Sequence, residues 1–241
     1  MRVAGGEAAT PLAVLQGDDE SLPPRARALV RLAVTLTGQP WELTPDAVRE
    51  ARGQGLDEQQ IEAAIGVIAM FNYFTRVADA TGIEFDYQTP LPAFEPDLRQ
   101  AAAPRPDPPG SAGAPAGDRR SPGYERLRTD WAAWRGYVLG ADEPITRRER
   151  RLLAAVAAGE AADWQAAGAL NGHTAGQDRD GRLAGFARKL SRQPWRMMEE
   201  DLNGLRGLGY PDEAILHVIS VVAHQNADSR LALGLTAAAR R

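Results

Sequence analysis

Residues 38–82, GQPWELTPDAVREARGQGLDEQQIEAAIGVIAMFNYFTRVADATG, decide the fold. Thr44-Pro45-Asp46 is a helix start: a hydroxyl at the N-cap, a proline at N1 where no intrahelical donor is lost, and an acid against the positive helix end. Gly55 ends that helix at a C′-like position. Asp57-Glu58-Gln59-Gln60 then opens a longer helix that runs to about Thr81-Gly82. At about 100° per residue, Ile61, Ile65, Ile68, Asn72 and Arg76 fall within about 80° of one another. The amide and the guanidinium therefore continue the apolar stripe. Upstream, residues 24–37 read as a helix with Pro24 in its opening turn.

The pattern recurs 154 residues later. Gln39-Pro40-Trp41 returns as Gln193-Pro194-Trp195, Gly53 and Gly55 as Gly207 and Gly209, and Ile61 and Ile65 as Ile215 and Ile219. Asn72 and Arg76 return as Asn226 and Arg230, and the ungapped match from Leu29 to Thr81 holds 16 identities in 53 positions. Chance gives only a few, so a duplicated structural unit is expected. Its second copy is expected to place helices over 181–190, 198–208 and 211–235. Two further helices are expected over 124–139 and 146–170. No stretch alternates with period two for long enough to argue a strand. The fold class is all-α, with two internal repeats expected to pack on each other as a pseudo-dimer, because three helices rarely bury a sufficient core alone.

Nine of the seventeen prolines lie between Pro90 and Pro122. Interleaved with Gly, Ala and Ser, that span reads as a semi-extended linker. The expected division is 1–89 for a truncated first unit, 90–122 for the linker, and 123–241 for the second unit.

Composition excludes much chemistry. The chain has no cysteine, hence no disulfide, no Cys-ligated metal and no thiolate nucleophile. Its histidines are His173, His217 and His224, too few for a multi-histidine metal site, so neither a metal nor another cofactor is expected. Twenty-eight Lys and Arg against 32 Asp and Glu leave a formal charge of −4, which gives no general pull toward nucleic acid or anionic membrane. No apolar run approaches the roughly 18 residues of a membrane span, and the first twenty residues do not resemble a signal peptide. A cytoplasmic location is the expectation.

Candidate site residues are few. Asn72, Arg76, Asn226 and Arg230 must be satisfied if buried, either locking two helices together or lining a site for a substrate anion. His217, His224 and Asp228 fall on the opposite face of the last helix. His224 and Asp228, at i and i+4, could form a carboxylate-oriented imidazole usable as a base. His173 reads as an exposed loop residue. Thr146 and Glu149 form a capping box, which accounts for Glu149 without function.

The segments ALVRLAVTLTGQPWELTPDAVREARGQGLDEQQIEAAIGVIAMFNYFTRVADATGIEFD and RRERRLLAAVAAGEAADWQAAGAL resemble the alkylhydroperoxidase D-like (AhpD-like), carboxymuconolactone decarboxylase superfamily, in particular its peroxidase-related branch. The run from Phe71 to Asp79, FNYFTRVAD, is similar to that branch's FN…NRxAD helix. The resemblance implies an all-helical protein that associates with itself as dimers, trimers or higher rings and takes part in antioxidant, oxidative-stress responses. It also implies a reductive site made of a Glu followed by Cys-x-x-Cys-x-x-x-His. Laid gaplessly on this chain, the Glu falls on Glu149, the cysteines on Ala161 and Trp164, and the histidine on Gly168; a one-residue slip gives Ala162, Gln165 and Ala169 instead. Only the acid survives. Dithiol reduction needs a thiolate to attack peroxide and a second thiol to resolve the sulfenic acid, so the site is expected to be degenerate. The family's decarboxylases do not rely on a cysteine pair, which leaves a cysteine-independent acid–base enzyme, decarboxylase- or isomerase-like, using Glu149 or His224 and Asp228, as the alternative.

Overall fold

The computed structural model describes residues 13–14, 17–83, 105–108, 122–170 and 178–239. The expected linker lies outside these apart from 105–108 and Pro122, and so does His173.

Helix α1 (Pro24–Gly38) starts on its proline, and a single 3-10 turn at Pro40–Glu42 follows. Helix α2 (Pro45–Gly53) is capped by Thr44, whose side chain accepts from the Ala47 N–H. Helix α3 (Glu58–Thr81) opens with the reciprocal Asp57–Gln60 capping box and stops at Gly82, whose φ of 65° is the left-handed conformation that costs glycine least. Then come α4 (Glu125–Gly140), α5 (Arg147–Glu160), α6 (Trp164–Ala169), α7 (Asp178–Arg192), a 3-10 turn at Pro194–Arg196, α8 (Glu199–Arg206) and α9 (Asp212–Ala239). Among the described residues there is no strand, and the fold is all-α. Helix α7, the second 3-10 turn, α8 and α9 each begin 154 residues after α1, the first turn, α2 and α3.

The helix expected over 146–170 is two helices. The chain breaks at Ala162, which sits at φ 55°. Asp163 then caps α6 by accepting from the Ala166 N–H. The run is rich in alanine, and its nearest glycine, Gly159, lies inside α5 rather than at the break, so helix propensity reads through it.

Helix α9 is the axis of the molecule, with every residue from Val221 to Ala232 buried. Its first half packs with α4, α5, α7 and α8 in one apolar cluster. Its second half, through Ala227, Leu231 and Leu235, closes a second cluster with α1, α2 and the first part of α3. The two long helices approach closely at Gly234, where an added Cβ would stand 2.6 Å from Ile65 Cγ2. Averaged over 18 residues, α3 has a hydropathy of 1.3 and is long and apolar enough to span a membrane. The sequence expectation of no such segment is corrected on this point, since Asn72 and Arg76 interrupt the run without lowering the average enough. One face of α3 packs on α9, and the other leaves Val67, Phe71 and Phe74 exposed.

Candidate functional site

Asn72, Arg76, Asn226 and Arg230 are all buried where α3 and α9 cross the ends of α1 and α7. Asn72 donates to Thr37 Oγ1 at 2.9 Å, and Asn226 to Ser191 Oγ at 2.8 Å. Each arginine donates from Nη1 to the backbone and side-chain oxygens of its own asparagine. The second arm reaches across: Arg76 Nη2 donates to the Ser191 carbonyl at 2.9 Å, and Arg230 Nη2 to the Thr37 carbonyl at 2.8 Å. Thr37 and Ser191 lie in the last turns of α1 and α7, whose carbonyls lack intrahelical donors and carry the negative end of the helix dipole. Burial pushes Arg76 down to about 10. Burial, then the charge of Arg76, lowers Arg230 well below its ordinary value. Through these bonds each long helix is joined to the last turn of α1 or α7.

Glu149 is buried at the start of α5 and held on every side. Its Oε2 accepts from the Thr146 N–H and hydroxyl, both at 2.9 Å. Its Oε1 accepts from the Tyr210 hydroxyl at 2.5 Å and lies 3.2 Å from Arg179 Nη2. Burial raises its carboxyl, but the bonds from Tyr210 and Thr146 and the charge of Arg179 outweigh it, leaving the group below its ordinary value. Tyr210 is pushed up to about 12 by burial and by Glu149. Glu149 is a fixed carboxylate, and its partners Tyr210 and Arg179 were not foreseen.

The other positions assigned by resemblance sit elsewhere. Ala161 follows the last residue of α5, so twelve residues of helix, about 18 Å of rise, separate it from Glu149. Trp164 begins α6 with its ring 3.5 Å from where a Gly159 Cβ would stand, and Arg105 lies over that ring at 5.4 Å from its centroid. Arg105 also donates to the Gly159 carbonyl and pairs with Glu160. Gly168 is exposed. The acid is at the start of α5, and the positions of the missing pair lie beyond its other end.

His224 and Asp228 are both buried, so the face of α9 that carries them is packed rather than open. Helix α4 covers it. The His224 ring meets Trp134 edge-on at 4.5 Å and lies 5.9 Å from Trp131. Asp228 accepts from Trp131 Nε1 at 2.9 Å and lies 3.5 Å from Arg135 Nε. His217 takes a bond from Arg150 at 3.1 Å, and burial followed by that cation lowers its titration.

Asp228 also lines a cleft of about 640 Å3 between α4, α9, the start of α5 and the end of α6. Arg128, Arg135, Arg147 and Arg151 line it, above Trp131, Leu170 and Leu231. Sequence reasoning missed this cleft. Its one legible trace is Arg128, Trp131 and Arg135 at i, i+3 and i+7 on α4. Among the described residues no group of three or more His, Cys, Asp or Glu could hold a metal ion.

An all-helical domain with a buried Asn–Arg pair on its long helix is what the geometry defines. Residues 8–83, less than half of the chain, match the family model of the carboxymuconolactone decarboxylase family. The match takes in Asn72 and Arg76 and lies outside Glu149, Ala161, Trp164 and Gly168. No curated protein and no solved structure matches at comparable stringency.

Proposed function

We propose that this protein is an AhpD-like, carboxymuconolactone decarboxylase-family protein of the antioxidant, oxidative-stress response that has lost the dithiol reaction. The observation that carries this reading is at Ala161 and Trp164: neither has sulfur, and Arg105 covers the tryptophan while anchored to Gly159 and Glu160. The test is treatment with excess organic hydroperoxide followed by intact mass. Oxidation confined to the four methionines, unaltered by dithiol, is expected, because methionine sulfoxide needs its own reductase. A dithiol-reversible mass change would overturn the reading.

A cysteine-independent acid–base enzyme is the second reading, and Asp228 favours it, since its carboxylate lines the cleft. Glu149 does not serve that reading, with its oxygens bound by Thr146, Tyr210 and Arg179. His224 is buried against Trp131 and Trp134 and does not line the cleft. Loss of any turnover in Asp228→Asn with unchanged folding would support this reading.

The two units are further proposed to form an intramolecular pseudo-dimer, supported by the reciprocal Arg76–Ser191 and Arg230–Thr37 bonds. Association with further copies is supported by the exposed Val67, Phe71 and Phe74 on α3. Sedimentation across a range of concentrations tests it. We keep a cytoplasmic location, without nucleic-acid or membrane partners, as part of this proposal.

A further inference from the structure

We propose that the α4–α9 cleft binds a small organic anion with an apolar body, head group at the arginine rim and body on the tryptophan floor. The volume, about 640 Å3, lies within the roughly 300–1,000 Å3 typical of small-molecule sites. Four guanidiniums line it against a single carboxylate, Asp228. Asp228 is already engaged by Trp131 and Arg135. Arg147 is paired with Asp142 outside the lining, and Arg151 donates to the carbonyls of Ala169 and Leu170. Arg128 makes no ion pair among the described residues. The cleft therefore keeps a surplus of positive charge that its own acid does not cancel. Guanidinium forks suit planar or tetrahedral oxyanions, and exposed ones bind them without the full cost of burial.

Beneath that rim Trp131, Leu170 and Leu231 are buried and apolar. A bare inorganic anion would leave this floor wet, so the body of the ligand matters as much as its charge. Carboxylate and phosphate heads share the required chemistry. The site stands whether or not Asp228 acts as a base.

Calorimetric titration of the full chain with decanoate, phenyl phosphate and inorganic phosphate tests this. One-to-one binding of decanoate or phenyl phosphate, weakening with salt, is expected. Arg128→Gln and Arg151→Gln should each weaken it by about tenfold. Arg126→Gln, on an exposed i,i+4 pair with Asp130 outside the lining, should leave it unchanged. Circular dichroism checks folding. If Arg151→Gln unfolds, Arg128→Gln still decides, since its side chain holds no described element in place. No binding at millimolar ligand, equal binding of inorganic phosphate, or indifference to Arg128→Gln would overturn the proposal.

Discussion

Arg76 and Arg230 are buried cations whose hydrogen bonds run to amide and carbonyl oxygens. Each joins its own asparagine to the last turn of a helix from the other half of the chain. Replacing Arg230 by Met removes the donors to Thr37 and Asn226 and leaves buried oxygens unsatisfied. The expected loss is roughly 2–4 kcal/mol in urea unfolding, and a variant as stable as the parent would refute this joining role. Glu149 and Tyr210 give a pH signature. A carboxyl held below its ordinary value of 4.5 contributes stability that is complete above that pH and is lost as the pH falls through the lower folded value. The Tyr210 phenol, raised from 10.0 to about 12, contributes below pH 10 and loses that contribution as the pH rises through about 12. Tyr210→Phe should therefore flatten both limbs of the melting temperature against pH. An unchanged profile would show that the pair is not coupled to folding. The stripe that placed these arginines inside was legible from spacing alone. Their acceptors, and the partners Tyr210 and Arg179, were not, because they come from distant parts of the chain.

Elements were read best where local chemistry sets them. Thr44-Pro45, the Asp57–Gln60 box and the glycines at 55 and 82 act within one turn, and the structure places helix boundaries beside them. The α5–α6 break and the burial of α9 on all sides were missed. The break needs a left-handed alanine followed by a buried aspartate cap, and α9 is covered by α4, a helix nearly a hundred residues earlier. The same distance hid the cleft, whose Arg135 and Asp228 meet only after α4 packs on α9. The α3–α9 contact has its own test. Gly234→Ala puts a methyl group 2.6 Å from Ile65 Cγ2, so a loss of about 1–3 kcal/mol is expected. The double variant Gly234→Ala, Ile65→Val should recover part of it, and no effect of the single change would mean the helices are farther apart.

At the scale of the molecule, neither half holds all of its own core. Ala227, Leu231 and Leu235 of α9 lie in the cluster built by α1, α2 and α3, and Ala80 of α3 lies in the cluster of the second half. Expressed alone, 1–89 should be unfolded and 123–241 loosened. Mixing them should restore helicity. Two stable halves that ignore each other would contradict the interlocked reading.

The measurement that bears most directly on the account is the steady-state reduction of cumene or tert-butyl hydroperoxide by metal-free protein, with and without a dithiol, for the parent and for Glu149→Gln. The amide can still cap at N3 but cannot carry a proton. The account predicts no dithiol-dependent turnover by either protein, because the chain offers no thiolate. Sustained turnover by the parent that Glu149→Gln abolishes would contradict it, and would make the carboxylate at the start of α5 a working acid.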